Sequence, residues 1–430
     1  MLLISKTYWL GMPWTYRGEL PAGASVRPVQ LKAADLRDSN GLYYTPAAHK
    51  PPQSTAKIGV LVTHPRVDFQ RHYCVPPFLA AGCAVLGLNG RCFNNDAIAI
   101  HEQLILDVNA GVKFLRDQGC EKVVLFGNSG GGSLSALFQA QAQLPKGQRL
   151  AQSPCGAPTK LNDVEMYPAD AFIAVSAHKG QGLILTECID PSVIDEADPL
   201  AVDASLDMYD TANGFRAPPQ PAQYSPEFVA RYRAAQLSRV KRLDDIARGY
   251  IADARQHEKQ YEAMKGSDDF MARHRVGRRA ALQRVMVIYR TMANLNYMDP
   301  SLDPSGRSQG SLLSDRPDLM NMQFMGFARV LTPEAWLSTW SGLSSNASML
   351  KNLPALTDIP VLMVNASRDR EIYPKVDAEA MWNAVAAKDK TFWQFDGEHY
   401  FEPPFGSPTA PDVDRLMAQV VPWVLERFGN

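Results

Sequence analysis

A serine set among glycines is the feature of this sequence most able to do covalent chemistry. Gly127-Asn128-Ser129-Gly130-Gly131 follows the apolar run Lys122–Phe126 and precedes an alanine-rich, helix-like stretch, Ser133–Ala142. Gly-x-Ser-x-Gly recurs by chance, but between a strand and a helix it is the setting of a nucleophile elbow. There the serine sits on a strained turn, and side chains at Gly127 and Gly131 would collide across it. The helix N-terminus behind Ser129 aims backbone donors at developing negative charge. No Lys follows the glycines, which excludes a Walker-type phosphate loop. Ser129 also stands where a dinucleotide fingerprint needs its second glycine. A hydroxyl is a weak nucleophile near neutral pH and needs a base. Among eight histidines, His399 lies just beyond the last apolar run, where a loop can carry it over Ser129. His257 and His274 fall in a charged segment and read as solvated, and His101 reads as a surface or capping residue at a helix start. The imidazole in turn needs a carboxylate to fix its tautomer. Asp369, on the turn after Ile359–Val364, is favoured over Glu371, which lies further into that turn. Asp396 and Glu398 are too near His399 in sequence to reach its ring easily.

These three residues are far apart in the chain, so a sheet has to gather them. Candidate strands Ser25–Lys32 and Leu42–Thr45 come first, followed by a Pro51-Pro52 turn. A strand–helix rhythm then begins. Apolar runs at Ile58–Thr63, Ala84–Leu88, Lys122–Phe126 and Ala171–Ser176 alternate with helical spacing at Val75–Ala81, Ile100–Gln118 and Ser133–Ala142. Short continuous apolar runs separated by helices predict parallel strands covered on both faces, an α/β sheet. The rhythm stops after Ser176 and resumes at Ile359–Val364 and Phe392–Phe395, with helices predicted at Val376–Ala387 and Asp412–Phe428. Between them lies an Asp/Pro-rich stretch, 180–225, and then long charged helices over 226–290. Residues 228–290 hold fifteen Lys or Arg against seven Asp or Glu, in a chain of net charge −1. Those cations read as solvated helix faces or subunit contacts, or as a field that draws in an anionic substrate.

The order Ser129, Asp369, His399, each at the end of a strand, resembles the α/β-hydrolase superfamily over residues 25–178 and 340–430. That resemblance implies an eight-stranded, mostly parallel sheet with helices on both faces and a cap inserted after the sixth strand. The core is then 1–179 with 341–430, and 180–340 is a mainly helical cap insertion. Where related enzymes carry a His-Gly type oxyanion loop, this chain has His64-Pro65-Arg66. One oxyanion donor is expected from the Gly130 N–H. Pro65 has no N–H, so Arg66 or Val67 is expected to supply the other. The Arg66 side chain is expected either to hold a substrate carboxylate or to pair with Asp68 or Asp96. His64, His178 and Tyr400 are expected to line the substrate site, since ligands collect outside strand carboxyl ends. The reaction so implied is hydrolysis of a carboxylic ester of a small organic substrate through an acyl-enzyme. A thioester or amide would use the same parts. Carbon–carbon bond cleavage on the same fold and a non-catalytic binding role are the alternatives.

Composition narrows the remaining classes. Net charge −1 leaves no global field for nucleic acid or an anionic membrane, and no run of about 18 apolar residues could span a bilayer. Met1–Leu10 is a poor signal peptide. Six cysteines without a Cys-x-x-Cys pair read as buried free thiols in a reducing cytoplasm rather than a disulfide framework or zinc cluster. No metal and no cofactor is expected, and a homodimer is compatible with the sequence.

Overall fold

The computed structural model describes residues 20–47, 56–324, 326–403, 407 and 409–429. Met1–Leu10, His49 and the Pro51-Pro52 turn lie outside the described residues. Eight strands form the main sheet: β1 (Ser25–Lys32), β2 (Asp38–Thr45), β3 (Ile58–His64), β4 (Ala84–Asn89), β5 (Lys122–Asn128), β6 (Ala171–Val175), β7 (Val361–Ala366) and β8 (Lys390–Phe395). Their spatial order is β1-β2-β4-β3-β5-β6-β7-β8. β2 runs antiparallel to β1 and β4, and every other pairing is parallel. Every residue of β3, β4, β6 and β7 is buried, as is β5 beyond Lys122. That is why these strands read as unbroken apolar runs, whereas the edge strand β8 alternates between exposed and half-buried residues.

Three helices belong to the first half of the sheet: α1 (Val75–Ala80), α2 (His101–Asp117) and α3 (Gly130–Ala142). α2 buries Leu104, Val108, Val112 and Leu115, one stripe at helical spacing, and Gly119 with φ 93° follows its end. α3 is buried on every side, so it shows no polar face. It begins three residues earlier than its apolar spacing predicts, because the glycines after Ser129 are already helical.

The residues between β6 and β7 form an insertion with three longer helices: α4 (Gln181–Cys188), α5 (Pro226–Ala263) and α6 (Phe270–Ala280). The Ser225 side chain caps α5 at Phe228 N–H, and Pro226 follows at the first helical position. The rest of the insertion is less helical than the sequence suggests. Its stretches 189–225 and 281–335 are turns, single helical turns and two small ribbons, Val193–Asp195 with Asp198–Val202 and Met286–Val287 with Val330–Leu331. Several of its arginines are held by partners. Arg239 is buried and forks onto Glu196, Arg242 joins the same carboxylate, and Arg290 bonds Asp190. Arg248 and Arg255 hold the carbonyls of Pro154 and Cys155, fastening α5 to the core. After β7, Pro374–Glu379 winds as a π-helix into Ala380–Ala384, and Asp303 of the insertion accepts the N–H groups of Lys375 and Val376 at its start. The chain closes with α7 (Pro411–Phe428), which packs through Leu416, Val420 and Val424.

The register decides where the chemistry lies. Asn128 pairs with Val175, Val175 with Val364, and Ala366 with Phe395. The residues that follow, Ser129, His178, Asp369 and His399, therefore leave the sheet at one carboxyl edge.

Candidate active site

Ser129 has φ 54° and ψ −130°, a conformation that a residue with a Cβ reaches only when its surroundings hold it there. The neighbouring glycines are what allow it. A Cβ on Gly127 would stand 2.7 Å from the Gly132 Cα, across the turn as expected. One on Gly131 would stand 2.3 Å from the Thr63 carbonyl oxygen, so that glycine lets the helix approach β3. Asn128 braces the turn from beneath. Its amide donates to the Val175 carbonyl at 2.7 Å, and its oxygen accepts from the Tyr73 hydroxyl at 3.1 Å, with His72 Nε2 also at 3.1 Å. Ser129 itself is 2 % exposed. Its Oγ lies 3.2 Å from His178 Nε2 and is hydrogen-bonded to Tyr400.

The β7 and β8 loops bring Asp369 and His399 together, with Asp369 Oδ2 2.8 Å from His399 Nδ1. The other Asp369 oxygen accepts the N–H groups of Glu371 and Ile372, which fixes the carboxylate plane. The Asp369 carboxylate oxygen at Nδ1 assigns the ring's first proton there and leaves Nε2 as the atom that can accept another. That Nε2 is buried without a hydrogen-bond partner among the described residues and lies 3.7 Å from Glu371 Oε2. Burial opposes the charged ring, but Asp369, then Glu371 and Glu402, outweigh it and push the His399 pKa up to about 9. The other acids weighed for this role lie elsewhere: Asp396 and Glu398 both pair with Arg368.

A second imidazole–carboxylate pair, less evident in the sequence, stands beside the first. His178 donates its backbone N–H to the Ser129 carbonyl at 2.9 Å, which locks its position against the elbow. Its Nε2 lies 3.0 Å from Glu371 Oε2 as well as near Ser129 Oγ, while its Nδ1 is buried without a partner among the described residues. Although burial raises the Glu371 pKa, His178 and then His399 lower it overall, so the carboxylate is ionised. A lone pair facing a carboxylate would be repelled, so His178 Nε2 carries the proton. His178 Nε2–H is thus a donor shared between Glu371 and Ser129 Oγ. In the sequence Glu371 stands only as a rival to Asp369, and its nearness to that residue is the one available signal. His178, Glu371 and His399 also offer ligand atoms that lie within 4.8 Å of one another, a spacing that a divalent cation could use.

The loop after β3 departs from expectation. The N–H groups of Arg66 and Val67 do not lie free beside Ser129; they donate to His64 Nδ1 at 3.1 and 2.9 Å. Arg66 as a backbone oxyanion donor therefore does not match the geometry, because the imidazole ahead of Pro65 turns back to accept both groups. The Arg66 guanidinium lies over the rings of Phe327 and Trp340, both from the insertion, at 5.7 and 5.3 Å. Asp68 is used otherwise, accepting from Gln70 and Asn89. Gly130 opens α3, where its N–H precedes the first helical hydrogen bond.

The remaining histidines separate clearly. His101 is not a surface residue. It is fully buried, with its N–H on Ser338 Oγ and its ring on Thr339 Oγ1, and burial holds its pKa at about 4. It pins α2 to the end of the insertion. His274 is exposed and His257 half-buried on the charged helices. All six cysteines are buried and free. No described helix is long and apolar enough to cross a membrane.

No family model matches the chain, and no curated protein matches it. Solved structures do. The chain is similar to DcsB in complex with its substrate analogue, at 12% identity over 94% of this chain and 100% of that one, with a TM-score of 0.50. It is also similar to Est1E from Butyrivibrio proteoclasticus, at 10% identity over 94% and 99% and a TM-score of 0.42. Brefeldin A esterase, described as a bacterial homologue of human hormone sensitive lipase, matches at 12% identity over 95% and 80%, with a TM-score of 0.41. The strand order and the elbow after β5 are those of the α/β-hydrolase fold.

Proposed function

We propose that this chain, an α/β-hydrolase by fold, is a serine hydrolase that cleaves a carboxylic ester of a small organic substrate through an acyl-enzyme. Ser129 Oγ attacks the carbonyl carbon while His399 Nε2 takes its proton, and Asp369 holds the ring and stabilises its charged form. The Gly130 N–H, at the α3 N-terminus, faces the developing oxyanion. His399 then returns the proton to the leaving alcohol, and a water activated by the same ring releases the acid. His178 and Tyr400, both on Ser129 Oγ, hold the hydroxyl until substrate arrives. The insertion serves as a cap over the site, a role that Phe327 and Trp340 around Arg66 support, and Arg66 is a cation within reach of a substrate carboxylate.

The observation that carries this reading is Ser129 in its strained conformation at the sheet edge from which the buried His399–Asp369 pair also emerges. Its test is Ser129→Ala, expected to lower turnover of p-nitrophenyl esters on the order of 10⁶-fold with the fold unchanged by circular dichroism. A fluorophosphonate should label the wild type at Ser129 alone. Retention of a tenth of the activity, or label elsewhere, would refute the assignment.

The His178–Glu371 pair favours one alternative. Cleavage of a carbon–carbon bond leaves a carbanion that must be protonated, and His178 Nε2–H is a second proton source at the same serine. A burst of p-nitrophenol equal to the enzyme concentration favours the esterase. Its absence, with turnover of a β-diketone, favours carbon–carbon cleavage.

A further inference from the structure

The β3 loop leaves an oxyanion hole with one backbone donor where two are needed, and the structure offers a side chain in place of the other. We infer that the His64 ring completes the hole, its Nε2–H donating to the substrate oxyanion opposite the Gly130 N–H. The inference rests on the acyl-enzyme reading above.

The proton's place on the ring is fixed by its neighbours. His64 Nδ1 accepts two N–H groups, those of Arg66 and Val67, so it carries none of its own. A neutral imidazole has one N–H, which must then be on Nε2. Burial, followed by the positive charge of Arg66 and the neighbouring imidazoles, holds the ring well below the usual imidazole range, so it stays neutral. Two backbone dipoles pointing into Nδ1 polarise the far side of the ring and make Nε2–H a better donor.

The ring is also in the right place. Nε2 lies beside the elbow, 2.8 Å from where a Cβ on Gly130 would be. Glycine at 130 therefore keeps open the space between His64 Nε2 and the α3 N-terminus. Nε2 has no hydrogen-bond partner among the described residues, although the residue is only 4 % exposed. The ring cannot swing away, since Phe69 packs against it with centroids 5.0 Å apart and two N–H groups hold its other edge. A rigid, neutral donor that needs no reorientation during reaction is what stabilises an oxyanion best. It also accounts for Pro65: a loop whose backbone N–H groups feed the ring loses nothing when one residue has none.

Two measurements test this. In protein labelled with ¹⁵N-histidine, the His64 ring is expected in the Nε2–H tautomer from pH 5 to 9. Its Hε2 signal should move downfield when a boronic acid or phosphonate forms a tetrahedral adduct with Ser129. A ring carrying its proton on Nδ1 would overturn the inference, as would an Hε2 signal that the adduct does not shift. In kinetics, His64→Ala should lower kcat about 10²–10³-fold with little change in KM, while His64→Gln, which keeps an N–H donor, should recover part of the loss. If the variants are destabilised, the tautomer and adduct measurements on wild type decide alone. If wild type forms no adduct and shows no acyl-enzyme burst, the acyl-enzyme reading fails instead. If wild type acylates normally and folded His64→Ala loses less than threefold, the reading stands and the His64 role does not.

Discussion

Two imidazole–carboxylate pairs meet at Ser129, and they are wired in opposite senses. His399 uses Nδ1 for Asp369 and leaves Nε2 without a partner. His178 uses Nε2 for both Glu371 and Ser129 and leaves Nδ1 without one. The ring hydrogen-bonded to the serine is therefore the one that cannot take its proton, while the ring whose Nε2 is unpartnered can. On the proposed reading distance alone would choose the wrong base, and the hydrogen bond on the far side of each ring is what separates the two. Resting-state contacts of catalytic groups are often loose, so the lack of a Ser129–His399 bond does not remove His399 from the role.

The sharpest way to break this contrast is to remove each ring. His399→Ala is expected to lower ester turnover on the order of 10⁶-fold, as loss of a general base does in a group that works as a unit. His178→Ala removes one hydrogen bond to Ser129 Oγ, about 0.5–1.5 kcal/mol, so roughly two- to tenfold in turnover. Steady-state rates on one activated ester give both numbers. The reverse ranking would make His178 the base and Glu371 its acid. The next largest effect falls on the carboxylates. Asp369→Asn should cost about 10⁴-fold by allowing the wrong tautomer, with substrate binding little changed. An equal loss in Glu371→Gln at every pH would erase the distinction between the pairs.

Much of this contrast is hidden in the sequence, and the reasons are physical. The sheet is legible because its central strands are buried on both faces and appear as apolar runs; β1 has the ends its residues predict. Ser129 and Asp369 stand out because each follows such a run, and His399 because it follows the short apolar stretch of the edge strand β8. Side-chain wiring has no comparable pattern. That His64 turns its Nδ1 back onto two N–H groups depends on a loop conformation that residue types alone do not specify. His101 reads as a surface or capping residue because a helix start is usually solvated; here Ser338 and Thr339, over two hundred residues away, cover it. The insertion is the least legible region. Many of its arginines bond backbone carbonyls and lone acids, contacts without sequence period, so their partners cannot be read from residue types.

The smallest predicted effect is on pH, and it reads the coupling between the two pairs. His399 must be neutral to accept the Ser129 proton, and its pKa is raised to about 9 by Asp369, Glu371 and Glu402 against the effect of burial. Turnover should therefore be low at neutral pH and rise through pH 9, not near the ordinary imidazole value. Stability moves the other way. A group whose pKa is raised on folding stabilises the fold fully below its unfolded value, about 6.5, and loses that contribution as pH climbs through about 9. Tm of the wild type should thus fall over the interval in which activity rises, if no other group titrates there. Glu371→Gln takes away one of the charges that hold His399 protonated, so the activity profile should move toward neutral pH. For every pH unit that the midpoint moves down, the neutral fraction at pH 7 grows about tenfold, partly offsetting the loss of the His178 contact. The comparison is the pH dependence of kcat/KM for the two proteins on one ester. Superimposable profiles would mean that Glu371 serves His178 alone and that the two pairs titrate independently.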